Sequence, residues 1–195
     1  MPLRFPTEPT NGTFLVREGL NRLSTRKNPL SEKSIDFSSL QVSQLHPVYD
    51  LRADAVASGG GLASATRSGF RYLVESGGTA VAAAEIGVDT TGTATLLANI
   101  NYGPYVEATA QALTNVSTLP PVTTGSYEVR LLRFAAIYLM AIWLKEDSGG
   151  ADIIYPLAPA PAGLQAEQVY APDEFIQAIL PLAQKRAEPG RTSVS

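Results

Sequence analysis

The residues with the clearest chemical potential are charged side chains inside apolar segments. Glu85 stands within residues 81–86, an otherwise apolar run where burying an acid is costly unless it is paired. Arg71, on the strand predicted before it, is a suitable partner. Arg130 and Arg133 raise the same question in a later apolar run. The alternative is that Glu85 faces water on the open side of a sheet.

Tyrosines supply the other candidate contacts to a ligand or a partner protein. Tyr102 and Tyr105 lie next to a predicted helix start, and with Arg71 and Glu85 they make up the candidate site. A pocket lined by these four residues, with shifted pKa values, would favour a small-molecule site. Aromatic residues in apolar runs more often belong to the core, and this applies to the remaining candidates, Tyr127, Tyr138 and Trp143.

His46 is the only histidine, and the chain has no cysteine. These counts exclude a histidine pair, a thiolate nucleophile and a cysteine-based metal site. A general base also needs a placed partner, and Ser43 and Asp50 are near His46 only in sequence. We therefore interpret His46 as structural. The sequence indicates no catalytic residue, no metal and no cofactor.

Two loops contain residues found in functional motifs. Residues 58–63 are glycine-rich but lack the Lys-Ser/Thr of a phosphate-binding P-loop, so we interpret them as a turn. Residues 88–92 resemble the Asp-Thr-Gly loop of retroviral-type aspartic proteases, in which two Asp residues share a proton. Here an additional threonine displaces the glycine. Asp, Thr and Gly are also common hairpin-loop residues, which favours a turn.

Composition narrows the classes of partner. Charged residues make up 17% of the 195 residues and the net charge is −3, so no basic face for nucleic acid is expected. The longest apolar run, residues 134–144, is too short to span a membrane as a helix, and we expect no signal peptide because residues 1–7 lack its apolar stretch. We expect a cytoplasmic protein that binds neither nucleic acid nor membrane. A surface with few charged residues favours contact with a partner protein or with another copy of the same chain.

The chain divides by composition into three parts. Residues 1–44 are polar, with scattered large apolar residues and a possible short helix over residues 14–23, and we interpret them as an extended N-terminal arm. Residues 45–187 carry the patterns of one domain. Residues 188–195 form a second polar segment, a C-terminal tail.

Turn signals and apolar periodicity predict the elements of the domain. The clearest is a hairpin of residues 70–74 and 79–88 around Gly77-Gly78. The other expected elements are strands at 46–51, 93–100 and 152–157, two buried strands within 129–144, and helices at 62–66, 105–114 and 172–186. This order predicts an α+β fold: a mixed, mostly antiparallel sheet with helices layered on one face, preceded by the arm.

These observations lead to two functional hypotheses. The first is a non-catalytic accessory or protein-interaction and assembly component of bacterial type, which binds a protein partner or forms a homo-oligomer. The alternative is a small-molecule-binding domain or an enzyme that uses tyrosine, arginine and carboxylate side chains. The molecular mass of the protein in solution would discriminate between the two hypotheses most directly.

Overall fold

The structure is a computed structural model, and it describes residues 3–187. Eight strands form one mixed, mostly antiparallel sheet, so the α+β fold predicted from the sequence is confirmed. The strands are β1 (Leu3–Arg4), β2 (Gln41–Asp50), β3 (Thr66–Ser76), β4 (Thr79–Val88), β5 (Ala94–Asn101), β6 (Tyr127–Phe134), β7 (Leu139–Glu146) and β8 (Ile153–Pro156). Their spatial order is β5-β4-β3-β2-β6-β7-β8, and the short β1 also pairs with β6.

Six α-helices accompany the sheet: α1 (Gly12–Ser24), α2 (Pro29–Glu32), α3 (Ala53–Ala57), α4 (Pro104–Ser117), α5 (Pro120–Thr124) and α6 (Pro172–Ala187). Short 3-10 turns lie at Phe37–Ser39, Leu62–Ser64 and Ala135–Ile137. The predicted helix over residues 62–66 is only the second of these turns. α3 and α5 were not predicted, because each is a single short turn, too short to show apolar residues at helical spacing.

The predicted hairpin is present as β3 and β4. Gly77 and Gly78 connect the strands with φ angles of 56° and 81°, in the left-handed region that glycine adopts without strain. The pairing sets Arg71 opposite Glu85. Because side chains alternate along a strand, both lie on the same face as Leu73 and Ala83, whose neighbours in sequence point to the other face.

The apolar run after residue 129 forms the central strands β6 and β7, as predicted. The 3-10 turn joins them, and Ile142 and Leu144 of β7 have no exposed surface. A strand covered on both faces needs no polar side, which explains the continuous apolar run.

Helices cover both faces of the sheet, which corrects the prediction of helices on one face. α4 packs on the face of Leu73, Val129 and Leu131. α1 packs on the opposite face over β4 and β5, and α6 covers that face over the β6–β8 half. The order of helices and strands along the chain does not specify which face of the sheet each helix covers. The sequence therefore could not predict that helices lie on both faces.

Residues 3–44 pack against the sheet, so the described part of the arm predicted over residues 1–44 belongs to the domain. Val16 and Leu20 of α1 are 0% and 4% exposed, and Leu30 and Leu40 are buried with them. Gly19 allows this close packing, since a Cβ there would lie 2.1 Å from the Leu97 side chain. The few apolar residues of α1 fall on one face of the helix. The average apolar content of the whole segment does not show this spacing, which is why the sequence suggested an arm. The predicted tail, 188–195, lies outside the described residues.

Candidate functional site

Glu85 is paired, but with Arg133 and not with Arg71. Its Oε2 accepts a hydrogen bond from Arg133 Nη1 at 2.8 Å, and its Oε1 accepts one from Asn101 at 3.2 Å. Arg133 also donates to both oxygens of Asp50, at 2.6 and 3.2 Å. The parallel pairing of β2 with β6 places Asp50 beside Arg133. The prediction of an Arg71–Glu85 pair is therefore corrected, because a non-local strand pairing brings in the other arginine.

The ion pair between Arg133 and Asp50 shifts the pKa values of both groups. Hydrogen bonds to Asp50, together with the charge of Glu85, raise the pKa of Arg133 above its ordinary value. Burial alone would raise the pKa of Asp50, but hydrogen bonds from Arg133 and Ser68 outweigh it and lower that pKa. Each carboxylate is thus committed to a guanidinium. With its pKa lowered, Asp50 is not arranged to exchange a proton with a substrate near neutral pH.

Arg71 and His46 lie next to this cluster, deep in the protein. They are paired in register between β2 and β3, and they are 1% and 0% exposed. Arg71 Nη1 lies 3.3 Å from the Met140 sulfur, and His46 Nδ1 lies 2.7 Å from the carbonyl oxygen of Gln44. Arg71 Nε and His46 Nε2 have no hydrogen-bond partner among residues 3–187. Burial and the charge of Arg71 lower the pKa of His46 to about 3, so the imidazole is neutral at physiological pH.

A small depression of about 190 Å³ lies beside the cluster, where α4 does not cover the sheet. Gly69 and Gly87 contribute to its lining, together with Ser68, Glu85 and Arg133. The charged groups at its side are already bonded to each other. A ligand there would have to compete with the Arg133 ion pairs.

The two candidate tyrosines do not join Arg71 and Glu85. The Tyr105 hydroxyl donates to the carbonyl oxygens of Tyr138 and, at 2.8 Å, Pro159, and so ties α4 to two loops. Tyr102 lies on the α1 side of the sheet, and its buried hydroxyl has no partner among the described residues. Burial raises the pKa of both tyrosines. The four predicted site residues are therefore distributed over both faces and form no single pocket.

Arg130 and Trp143 belong to a separate structural cluster. The guanidinium of Arg130 lies 4.7 Å from the Tyr49 ring centre and 4.8 Å from the Trp143 ring centre, and Arg130 also pairs with Glu128 at 2.6 Å. Trp143 Nε1 donates to Asp152 at 2.9 Å. The Tyr49 and Trp143 rings also contact each other edge to face, with centroids 5.3 Å apart, and this cluster stabilises the α6 side of β6 and β7. Of the other aromatic candidates, Tyr127 is buried and Tyr138 is 80% exposed.

The two loops with motif-like sequences use their polar groups internally. The amides of Gly59 and Gly60 donate to carbonyls of α3, and they terminate that helix instead of facing a ligand. The Asp89 carboxylate accepts hydrogen bonds from Thr91 and from the Thr93 amide. These bonds lower its pKa and close the turn between β4 and β5.

A larger groove, about 520 Å³, lies between α1 and β5. Leu15 and Leu23 line it from the helix side, and Leu97 and Ile100 line it from the strand side. Charged groups of the helical segment, Glu18, Arg22 and Arg26, complete the lining. The sequence predicted strand β5, but it did not indicate this groove, because α1 was interpreted as part of an arm.

β5 is also an edge strand of the sheet. Thr10 covers only its beginning, where its carbonyl accepts a hydrogen bond from the Ala94 amide at 2.8 Å. Along residues 95–101 the outer edge has no strand partner in the part of the chain that the structure describes. The opposite edge, β8, is four residues long and is covered by Tyr170, which exchanges two backbone hydrogen bonds with Ile154.

An unpaired edge strand is a pairing surface, and proteins usually protect such edges with charges or proline. β5 contains neither charges nor proline, but its register against β4 shifts at residues 95 and 98, as at a β-bulge. Leu96, at 59% exposed, adds an apolar side chain beside the open edge. This edge and the α1–β5 groove together form the interaction surface.

Other kinds of site are not indicated. Within residues 3–187, no three acidic or histidine side chains come together as a metal site, and no helix there has the length and apolar character to cross a bilayer. The comparisons with known proteins found no matching family model, no matching curated protein and no matching solved structure. The geometry of this chain alone therefore carries the functional conclusion.

Proposed function

We propose that the protein is a non-catalytic interaction or assembly component of the cytoplasm, and that it binds a protein partner through the interaction surface. The observation that carries this proposal is the coincidence of an open edge strand, which has no charged residue and no proline, with an apolar groove on its α1 side. Either feature alone is common in monomeric proteins. Their combination matches the requirements of strand addition, in which a partner supplies a further strand.

The groove and the edge would contribute different parts of the binding energy. Backbone hydrogen bonds along residues 95–101 would give affinity without sequence preference. Alternate side chains of the added strand would enter the groove and contact Leu15, Leu23 and Ile100, which gives specificity. Arg22 and Arg26 at the groove would favour acidic groups on the partner.

Small-molecule binding beside Arg133 is the second candidate function. The depression of about 190 Å³ and the uncovered face around it favour this alternative. Against it, Asp50, Glu85 and Arg133 satisfy each other, and Tyr102 and Tyr105 lie elsewhere. The interaction surface has the stronger support because no such internal pairing occupies it.

Site-specific photo-crosslinking in cells that express the protein tests this proposal. A photo-reactive residue at Ala98, exposed on β5, should give a covalent adduct of higher mass with one defined protein. The same residue at Val169, 43% exposed near the covered β8 edge, serves as the matched control. The adduct should disappear when Leu23 is replaced by Glu. No adduct at position 98, or equal adducts at both positions, would contradict the proposal.

A further inference from the structure

Resting on the proposed function, we infer that the occupant of the interaction surface is a second copy of this chain. The two copies form a two-fold dimer in which β5 pairs antiparallel with β5 of the other copy. Both features of the surface, the strand edge and the helix beside it, are self-complementary, as a two-fold interface requires.

The strand edge meets its own copy without charge repulsion. The free residues, 95–101, carry no charge, so no like charges meet when two identical strands align in opposite directions. Ala98, small and exposed, lies at the middle of this stretch, where the register of β5 against β4 shifts by one residue. Thr10 covers only the start of the strand, outside the free stretch.

The helices meet when the strands pair. Neighbouring strands lie about 4.8 Å apart, so the two-fold axis lies about 2.4 Å beyond each β5. α1 packs over β4 and β5, and the axis therefore brings α1 of the second copy alongside it on the same face. Helices pack at separations of about 8–10 Å, which this arrangement allows. The two helices run antiparallel, because the axis is perpendicular to the sheet.

Charges along the outer side of α1 match this antiparallel arrangement. Glu18 lies one turn before Arg22, and their side chains are 44% and 81% exposed. Antiparallel helices centred between these residues set each Glu18 against Arg22 of the second copy. The same register brings Leu15 of one copy near Leu23 of the other. Within one copy the Glu18–Arg22 pair is long, 3.9 Å, and leaves both groups available.

Sedimentation velocity on the full chain, with charge-reversal variants, tests the dimer. At high protein concentration the wild type should sediment as a species with twice the 20.7 kDa mass of one chain. Glu18→Arg and Arg22→Glu should each weaken the dimer about tenfold, since each sets like charges together at two symmetric places. An equimolar mixture of the two variants should recover the complex, because the two arginines of one variant then face the two glutamates of the other. Recovery in the mixture cannot come from pairs within one helix.

Three outcomes are decisive. A dimer that weakens in both single variants and recovers in their mixture supports the inference. A wild type that remains monomeric when concentrated overturns it, as does a dimer that neither variant weakens. A heterologous adduct in the photo-crosslinking experiment, with a monomeric purified protein, would overturn the second copy as occupant and leave the proposed function standing. Absence of any adduct would remove the proposed function itself.

Discussion

The buried imidazole of His46 should make folding stability depend on pH near neutrality. The ring has no exposed surface, and burial together with Arg71 lowers its pKa from 6.5 to about 3. In the unfolded chain the same ring takes up a proton near pH 6.5. The stabilisation from this difference is fully present above the unfolded pKa and is lost as the pH falls toward the folded pKa.

The magnitude follows from linkage. From pH 7 to pH 5 the proton occupancy of this site in the unfolded state rises from about one quarter to nearly one, about 0.7 on average, while the folded state binds almost none. Each pH unit of full proton linkage corresponds to about 1.4 kcal/mol, so the free energy of unfolding should fall by about 2 kcal/mol over this interval. The result requires only that the folded pKa lies below about 5.

Urea denaturation at a series of pH values measures this effect. His46 is the only histidine, so His46→Gln is a complete control for imidazole titration. The variant is expected to be less stable than the wild type at pH 7 but to lose little further stability down to pH 5. A wild-type stability that stays constant over this interval, or an equal loss in the variant, would refute the assignment of a buried neutral ring. NMR should also find imidazole shifts that do not titrate above pH 5.

Two further predictions concern packing and the ion pairs. Leu20→Ala should cost about 2–5 kcal/mol of unfolding free energy because the side chain is 4% exposed, whereas Phe14→Ala, at 63% exposed on the same helix, should cost below about 0.5 kcal/mol. Equal small losses in thermal or urea denaturation would mean that α1 does not pack on the sheet. Arg133→Ala should cost about 1–3 kcal/mol, since it leaves Asp50 and Glu85 partly buried without a cation. Arg52→Ala removes an ion pair whose members are 72% and 63% exposed and should leave stability nearly unchanged; similar effects of the two arginine variants would contradict the ranking by burial.

Local patterns in the sequence identified most of the elements. The β3–β4 hairpin was predicted because Gly77 and Gly78 supply the turn and the flanking residues alternate, all within a short stretch. α6 was predicted from its acidic first turn, basic last turn and apolar spacing. Each of these signals is contained in the element that it describes.

The candidate site was less predictable because its pairings are non-local. Glu85 was correctly identified as unusual, but its partner Arg133 reaches it through the parallel pairing of β2 with β6, between residues far apart in the chain. The position of β5 at the sheet edge likewise depends on the complete strand order. A short helix over residues 14–23 was predicted as possible, but its packing on the sheet was not; Val16 and Leu20, one turn apart on one face, could have indicated a buried side.

Hydrogen exchange at β5 is the most direct test of the interaction surface. Backbone amides that point outward from an unpaired edge exchange quickly, and they become protected when a second strand bonds to them. Mass-spectrometric exchange of peptides covering Ala94–Asn101 should slow as the full-length protein is concentrated, whereas peptides covering Ile153–Pro156 should not change. The Arg22→Glu variant should retain fast exchange in β5 under the same conditions. Exchange in β5 that is equally fast in dilute and concentrated wild-type protein would contradict pairing at this edge by a second copy.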